Sequence, residues 1–151
     1  MYEQKIALLA KDVSIDGQTN AVSVFNIIEG FQIVGPVLIP EVAFFAIIGR
    51  DPADPPEVKA DFRISLDETE LVRAPVAAIR FSDKPQARVV IRLGGLPVPK
   101  PGTLVAQLVG DNGERLAGYQ IKITAAPTPP ASITVDTAPA PEKTVEQKNP
   151  S

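Results

Sequence analysis

The chain has 151 residues, 44% hydrophobic and 22% charged, which is enough apolar material to bury one core in a globular domain. Its 15 basic and 18 acidic residues give a formal net charge of −3, which excludes the strongly positive footprint of a dedicated nucleic-acid binder. His, Cys and Trp are all absent, so the commonest general base, the thiolate nucleophile and the two softer metal ligands are missing together.

In chain order, residues 6–13 read as a first strand. Its apolar run, Ile6 to Ala10, is too short for the core of a signal peptide, and no stretch approaches membrane-spanning length, so a cytoplasmic chain is expected. Asp16-Gly17-Gln18-Thr19-Asn20 is a turn, followed by a strand over 21–28. A longer loop carrying Gly30, Gly35, Pro36 and Pro40 leads to a strand over 42–48, closed by Gly49 and the proline-rich segment 51–56. The next strand, 57–66, is the clearest: Val58, Ala60, Phe62, Ile64 and Leu66 alternate with Glu57, Lys59, Asp61, Arg63 and Ser65, so one face packs and the other is wet.

Residues 71–81 form a strand that Pro75 confines to a sheet edge or splits in two, because proline cannot donate to a ladder. Residues 86–93 alternate again, and the pair Gly94-Gly95 reads as a bulge or tight turn ending that strand. Strands over 103–109 and 115–123 flank Asp111-Asn112-Gly113, a hairpin signal because Asn and Gly tolerate the positive φ of short loops. No window keeps a 3.6-residue period. Eight strands with short connections predict an all-β, antiparallel immunoglobulin-like or C2-like β-sandwich over residues 1–125. Residues 126–151 read as a proline-rich disordered tail, within which Ser132-Ile133-Thr134-Val135 is suited to adding to a sheet edge, in this chain or in a partner.

Three segments resemble a domain-of-unknown-function family of small bacterial proteins: Ala7-Leu8-Leu9-Ala10-Lys11-Asp12-Val13, Val22-Ser23-Val24-Phe25-Asn26-Ile27-Ile28, and Leu96-Pro97-Val98-Pro99-Lys100-Pro101-Gly102-Thr103. The resemblance covers about residues 6–124, departs from the family pattern at Lys11 and Asn26, and implies a sandwich fold with no activity or site to transfer.

In a sandwich of successive antiparallel strands, alternate loops fall at opposite ends. One end then gathers Asp16, Asp51, Asp54, Asp83 and Asp111 with Asn20 and Asn112; converging oxygen ligands of this kind suit Ca²⁺, although Asp and Asn are equally the ordinary turn residues. The other end gathers Phe31, Ile33, Val34 and Leu38 from the long loop with Leu96, Pro97 and Pro99. That surface is apolar and proline-stiffened, so it would lose little entropy on binding a protein. Strand 42–48 is apolar on both faces, so Phe45 and Ile47 need a cover: a loop such as 33–38, or a second copy of the chain. Lys59, Arg63, Arg88, Arg92 and Lys122 are positioned to share one outer face, which without stacking aromatics reads as a solvated surface.

Catalytic chemistry is thinly provided. The serines have no His to activate them and no Gly-x-Ser-x-Gly elbow is present, while carboxylate pairs lack the Trp-lined cleft of a glycosidase. The expected function is therefore that of a non-enzymatic module binding another protein, self-associating, without cofactor and without nucleic-acid or membrane partners. The rival is a small-ligand or calcium site on the acidic loops.

Overall fold

The computed structural model describes residues 1–127, and the tail segment 132–135 lies outside them. The described residues are all-β, with eleven strands: β1 (Glu3–Ile15), β2 (Val22–Ile27), β3 (Gly30–Ile33), β4 (Val37–Ile39), β5 (Val42–Gly49), β6 (Glu57–Leu66), β7 (Thr69–Arg80), β8 (Gln86–Leu93), β9 (Leu96–Val98), β10 (Gly102–Gly110) and β11 (Arg115–Ala125). Eight of them are the expected strands; β3, β4 and β9 are additional and short.

Two main sheets form the sandwich, one ordered β2-β1-β5-β8 and the other β3-β11-β10-β6-β7, with β4 and β9 as a separate two-stranded ladder. The alternation in β6 is realised as read: Ala60, Phe62, Ile64 and Leu66 are buried against the facing sheet. Phe62 meets Phe44 of β5 with ring centroids 5.1 Å apart, a tilted pair joining the two sheets at their centre. β7, which carries Pro75, is an edge strand, as its missing N–H requires. The hairpin at Asp111-Asn112-Gly113 connects β10 to β11, and Gly113 adopts φ 88° there. β3 departs from the antiparallel expectation, running parallel to β11 with Phe31 opposite Ile123.

The cover of β5 differs from both sequence-based alternatives. β1 is long enough to serve two neighbours: residues 3–10 pair with β5, and residues 10–15 pair with β2. Leu9 lies in the main core, whereas Ala10 and Val13 join Ala43 and Phe45 in a second buried cluster, with Val22, Val24, Ile47 and Val90 packed against it. The β1–β2 hairpin thus lies over the outward-facing side chains of β5. Phe45 is only 4% exposed, covered by the chain itself, so the apolar outer face of β5 supplies no argument for a second copy.

The basic side chains do not share a face. Lys59, Arg63 and Lys122 stand on β6 and β11 of the five-stranded sheet, and Arg88 and Arg92 on β8 of the other. Among the described residues no helix is long and apolar enough to cross a membrane.

Candidate functional site

The apolar end is assembled by strands that are distant in sequence. β4 and β9 pair antiparallel, Val37 with Val98, Leu38 with Pro97 and Ile39 with Leu96, which brings the long loop and the Leu96-Pro97-Val98 segment together. Leu96 and Val98 point inward and are buried, Leu96 to 1% exposure, while Pro97 and Pro99 stay on the surface. Leu96 is therefore a core residue that holds the β4–β9 ladder on the sandwich, and it is closed to a partner.

Between this ladder and the β2–β3 corner runs a shallow groove of about 460 Å³, its floor and walls formed mainly by Ile27, Ile28, Phe31, Val37, Leu38 and Ile39. Lys11 and Glu29 also line it. Two backbone features make the corner possible. Asn26 adopts φ 55°, a left-handed conformation that Asn tolerates better than most residues, and this turns the chain out of β2. Gly30 lies so close to β11 that a Cβ would sit 2.9 Å from the Lys122 carbonyl oxygen, and this close approach lets β3 dock.

The corner is also pinned by hydrogen bonds. The Ile28 N–H donates to the Leu9 carbonyl at 2.8 Å, and the Tyr119 hydroxyl donates to the Ile28 carbonyl at 2.8 Å. Burial raises the Tyr119 phenol above its ordinary pKa, so it remains a donor throughout the physiological range. The groove is thus preformed, which limits the ordering entropy a ligand must offset.

Exposed apolar side chains concentrate at this place. Of the eight large hydrophobics exposed among the described residues, five (Phe25, Ile27, Val34, Val37 and Leu38) fall between β2 and β4, and three of these, Ile27, Val37 and Leu38, line the groove. Leu38 is 67% exposed and Ile27 49%. Sequence reasoning found Phe31 and Leu38 through the apolar loop. It missed Ile27, whose place in a strand that alternates towards the second cluster through Val22 and Val24 was the available signal.

At the acidic end the loops approach one another, but the Asp16 carboxylate serves its own turn and those of Asp51 and Asp54 are engaged by the Met1 ammonium. Asp16 accepts from the Gln18 and Thr19 N–H groups at 2.7 and 3.0 Å, and these bonds hold its carboxyl below the usual range. Asp51 and Asp54 accept from the Met1 ammonium at 3.1 and 2.7 Å, and that ammonium is the main reason the Asp54 carboxyl is also lowered. Asp54 and Asp111 line one cleft of about 360 Å³, whereas Asp83 lies in the exposed turn after β7 and Asp16 in the β1–β2 turn. Among the described residues no group of three or more Asp and Glu side chains is arranged to hold a metal ion.

The solved structures similar to this chain include the following two. One is the alkylpurine DNA glycosylase AlkC of Pseudomonas fluorescens bound to DNA containing an abasic site analog, at 11% identity and TM-score 0.46. That match covers 79% of this chain, and the chain spans 30% of the glycosylase's length. The other is the superoxide reductase neelaredoxin from Ignicoccus hospitalis, at 13% identity and TM-score 0.30 over 80% of this chain and 82% of that one. At such scores neither likeness assigns an activity or a ligand. No protein-family model and no curated protein matches the chain.

Proposed function

We propose that this chain is a non-enzymatic protein-binding module of the cytoplasm, which uses an immunoglobulin-like sandwich as a rigid support and receives an extended apolar segment of a partner protein in the groove between β2, β3 and β4. The observation that carries this reading is the cluster of Ile27, Phe31 and Leu38 around a pinned concavity, beside strands β2 and β3 that each form the edge of a sheet. An edge strand offers unpaired N–H and C=O groups for main-chain pairing, and the apolar side chains beside it supply the burial. Lys11 and Glu29 form a polar rim, which sets register more than affinity.

The test places a photo-crosslinking side chain at Leu38 and, as a control, at Arg73 on β7, and captures adducts from the native lysate. The expected result is an adduct formed from position 38 alone, mapping to an extended apolar segment of the partner. It should disappear when Ile27→Glu is added and persist when Asp51 and Asp54 are both changed to Ala. Adducts that ignore Ile27→Glu and vanish with the Asp51 and Asp54 changes would move the binding to the acidic loops and overturn the reading.

A further inference from the structure

We propose that a second cleft, where the turn from β7 to β8 passes from one sheet to the other, binds a phosphate monoester of a small polyhydroxy compound, with the phosphate held by Arg80, Lys84 and Arg88.

The charge of the cleft carries the proposal. Its volume is about 440 Å³, and the three cations line it with no carboxylate among the lining side chains. By contrast, the groove carries Glu29, and the cleft at the acidic end carries Asp54 and Asp111. Asp83 belongs to the same turn, but it does not line the cleft. In a chain of formal charge −3, a concave surface lined by three cations concentrates anions from solution.

The cations are also left available. Arg88 is positioned by Asn20, whose main-chain and side-chain oxygens accept from Nη1 and Nη2 at 3.1 and 2.6 Å. Those oxygens are neutral, so the guanidinium is oriented without being discharged, and with two of its five N–H groups engaged three remain for a ligand. Arg80 donates to Glu57 through Nε at 2.7 Å and keeps both Nη groups. Lys84 makes no ion pair among the described residues.

The turn is built to hold its shape. The Phe81 N–H donates to the Pro56 carbonyl and the Lys84 N–H to the Phe81 carbonyl, at 2.8 and 2.9 Å, while the Pro85 carbonyl accepts from the Arg50 N–H at 2.8 Å. Between these anchors Ser82 adopts φ 57°, a left-handed conformation that serine rarely takes.

The rest of the lining selects the ligand. Cations drawn from the end of β7, the turn and β8 can meet a tetrahedral dianion from several sides, whereas a planar carboxylate is satisfied by one guanidinium. The cleft is larger than a phosphate group needs, and the Ser82 hydroxyl with the Asn20 and Gln86 amides suits the hydroxyls of a small organic part. Phe81 is 1% exposed and packed on Tyr2, so it offers no face on which a nucleobase could stack.

The test titrates glycerol 3-phosphate into the isotope-labelled full-length chain and follows its amide signals. Saturable shifts are expected at residues 80–88 and at Asn20, with a dissociation constant of about 1 mM or lower. Inorganic phosphate should bind the same residues more weakly, and glycerol and acetate should not bind. Lys84→Gln should weaken binding about tenfold without changing the melting temperature, because Lys84 has no partner to lose. Arg73→Gln, the same change of charge at the middle of β7, should leave binding unaltered. Arg88→Gln should also weaken binding, but it releases the hairpin at Asn20 as well, so the Lys84 variant decides.

No saturable shift, equal affinity for acetate, or a Lys84→Gln effect matched by Arg73→Gln would overturn the proposal. Tighter binding of a single-stranded oligonucleotide at the same residues would also overturn it, by making the cleft part of a nucleic-acid surface. The cleft and the groove share no lining residue, so Leu38→Glu should leave phosphate binding intact, and either reading can fail while the other stands.

Discussion

Arg92 on β8 donates from Nη2 to the main-chain carbonyl of Val13, 2.6 Å away, and so joins the far edge of the four-stranded sheet to the hairpin that lies across it. Arg88, two turns of the pleat earlier on the same strand, makes a second clasp, donating to the Asn20 carbonyl at 3.1 Å and to Asn20 Oδ1 at 2.6 Å. The hairpin covers Phe45 with apolar contacts, and these two arginines fix where it lies. A charged donor on a partly buried carbonyl is worth about 1.5–3 kcal/mol. Arg92→Met, which keeps the stem and removes the donor, should lower stability by about 1–2 kcal/mol in denaturant titration. The amides of residues 10–15 and 22–27 should then exchange faster than those of β10.

Phe45 and Leu38 both read as partner-facing in the sequence, and the structure separates them. Phe45→Ala leaves a void beneath the hairpin and should cost about 3 kcal/mol, without changing the molecular mass measured by light scattering at any concentration. Leu38→Glu removes exposed apolar surface and should stay within about 0.5 kcal/mol of wild type, while abolishing binding at the groove. A concentration-dependent mass that Phe45→Ala reduces would reinstate the β5 face as an interface.

Gly30→Val places a side chain where the Lys122 carbonyl already stands, and main chain cannot rotate away as a flexible side chain can. β3 should therefore detach from β11 and take Phe31 with it. The expected outcome is loss of groove binding, with faster amide exchange confined to residues 28–34 and 122–126. The main core between β5 and β6 should stay protected, because Phe44 and Phe62 do not depend on β3.

Asp16 provides a pH test. Its folded carboxyl is lowered by N–H donors from Thr19 and Gln18, so its contribution is present above the unfolded carboxylate pKa and is lost as the pH falls through the folded value. Asp16→Ala should lower the melting temperature at neutral pH, and the gap to wild type should close below about pH 4. The same substitution should leave groove binding unaltered, and its melting shift should be the same in millimolar calcium as in chelator.

The long strands were legible where a local signal leaves little freedom: β6 and β8 lie where their alternation puts them, and β10 and β11 lie on either side of the Asp111-Asn112-Gly113 turn that predicts them. The three short strands were hidden for physical reasons. β4 is Val37-Leu38-Ile39 between Pro36 and Pro40, too brief for a period to show, and β9 carries Pro97 at its centre, a residue that speaks against a ladder. Both exist because they pair with each other over the end of the core, a long-range fact that no local window holds. The cover of β5 was hidden in the same way. Buried positions in β1 run Leu9, Ala10 and then Val13, and the break at Lys11-Asp12 marks where the strand passes from serving one cluster to serving the other.

The groove also carries a timetable. Its walls come from β2, β3 and β4 near the beginning of the chain, but β4 is held by β9, and β3 is held by β11, where Gly30 faces Lys122. Contacts of such wide sequence separation close late in folding. A chain emerging residue by residue can complete its earlier hairpins, yet it has no binding surface until its last strand is made. If the groove is the binding site proposed above, half-made copies therefore cannot compete with finished ones for a partner.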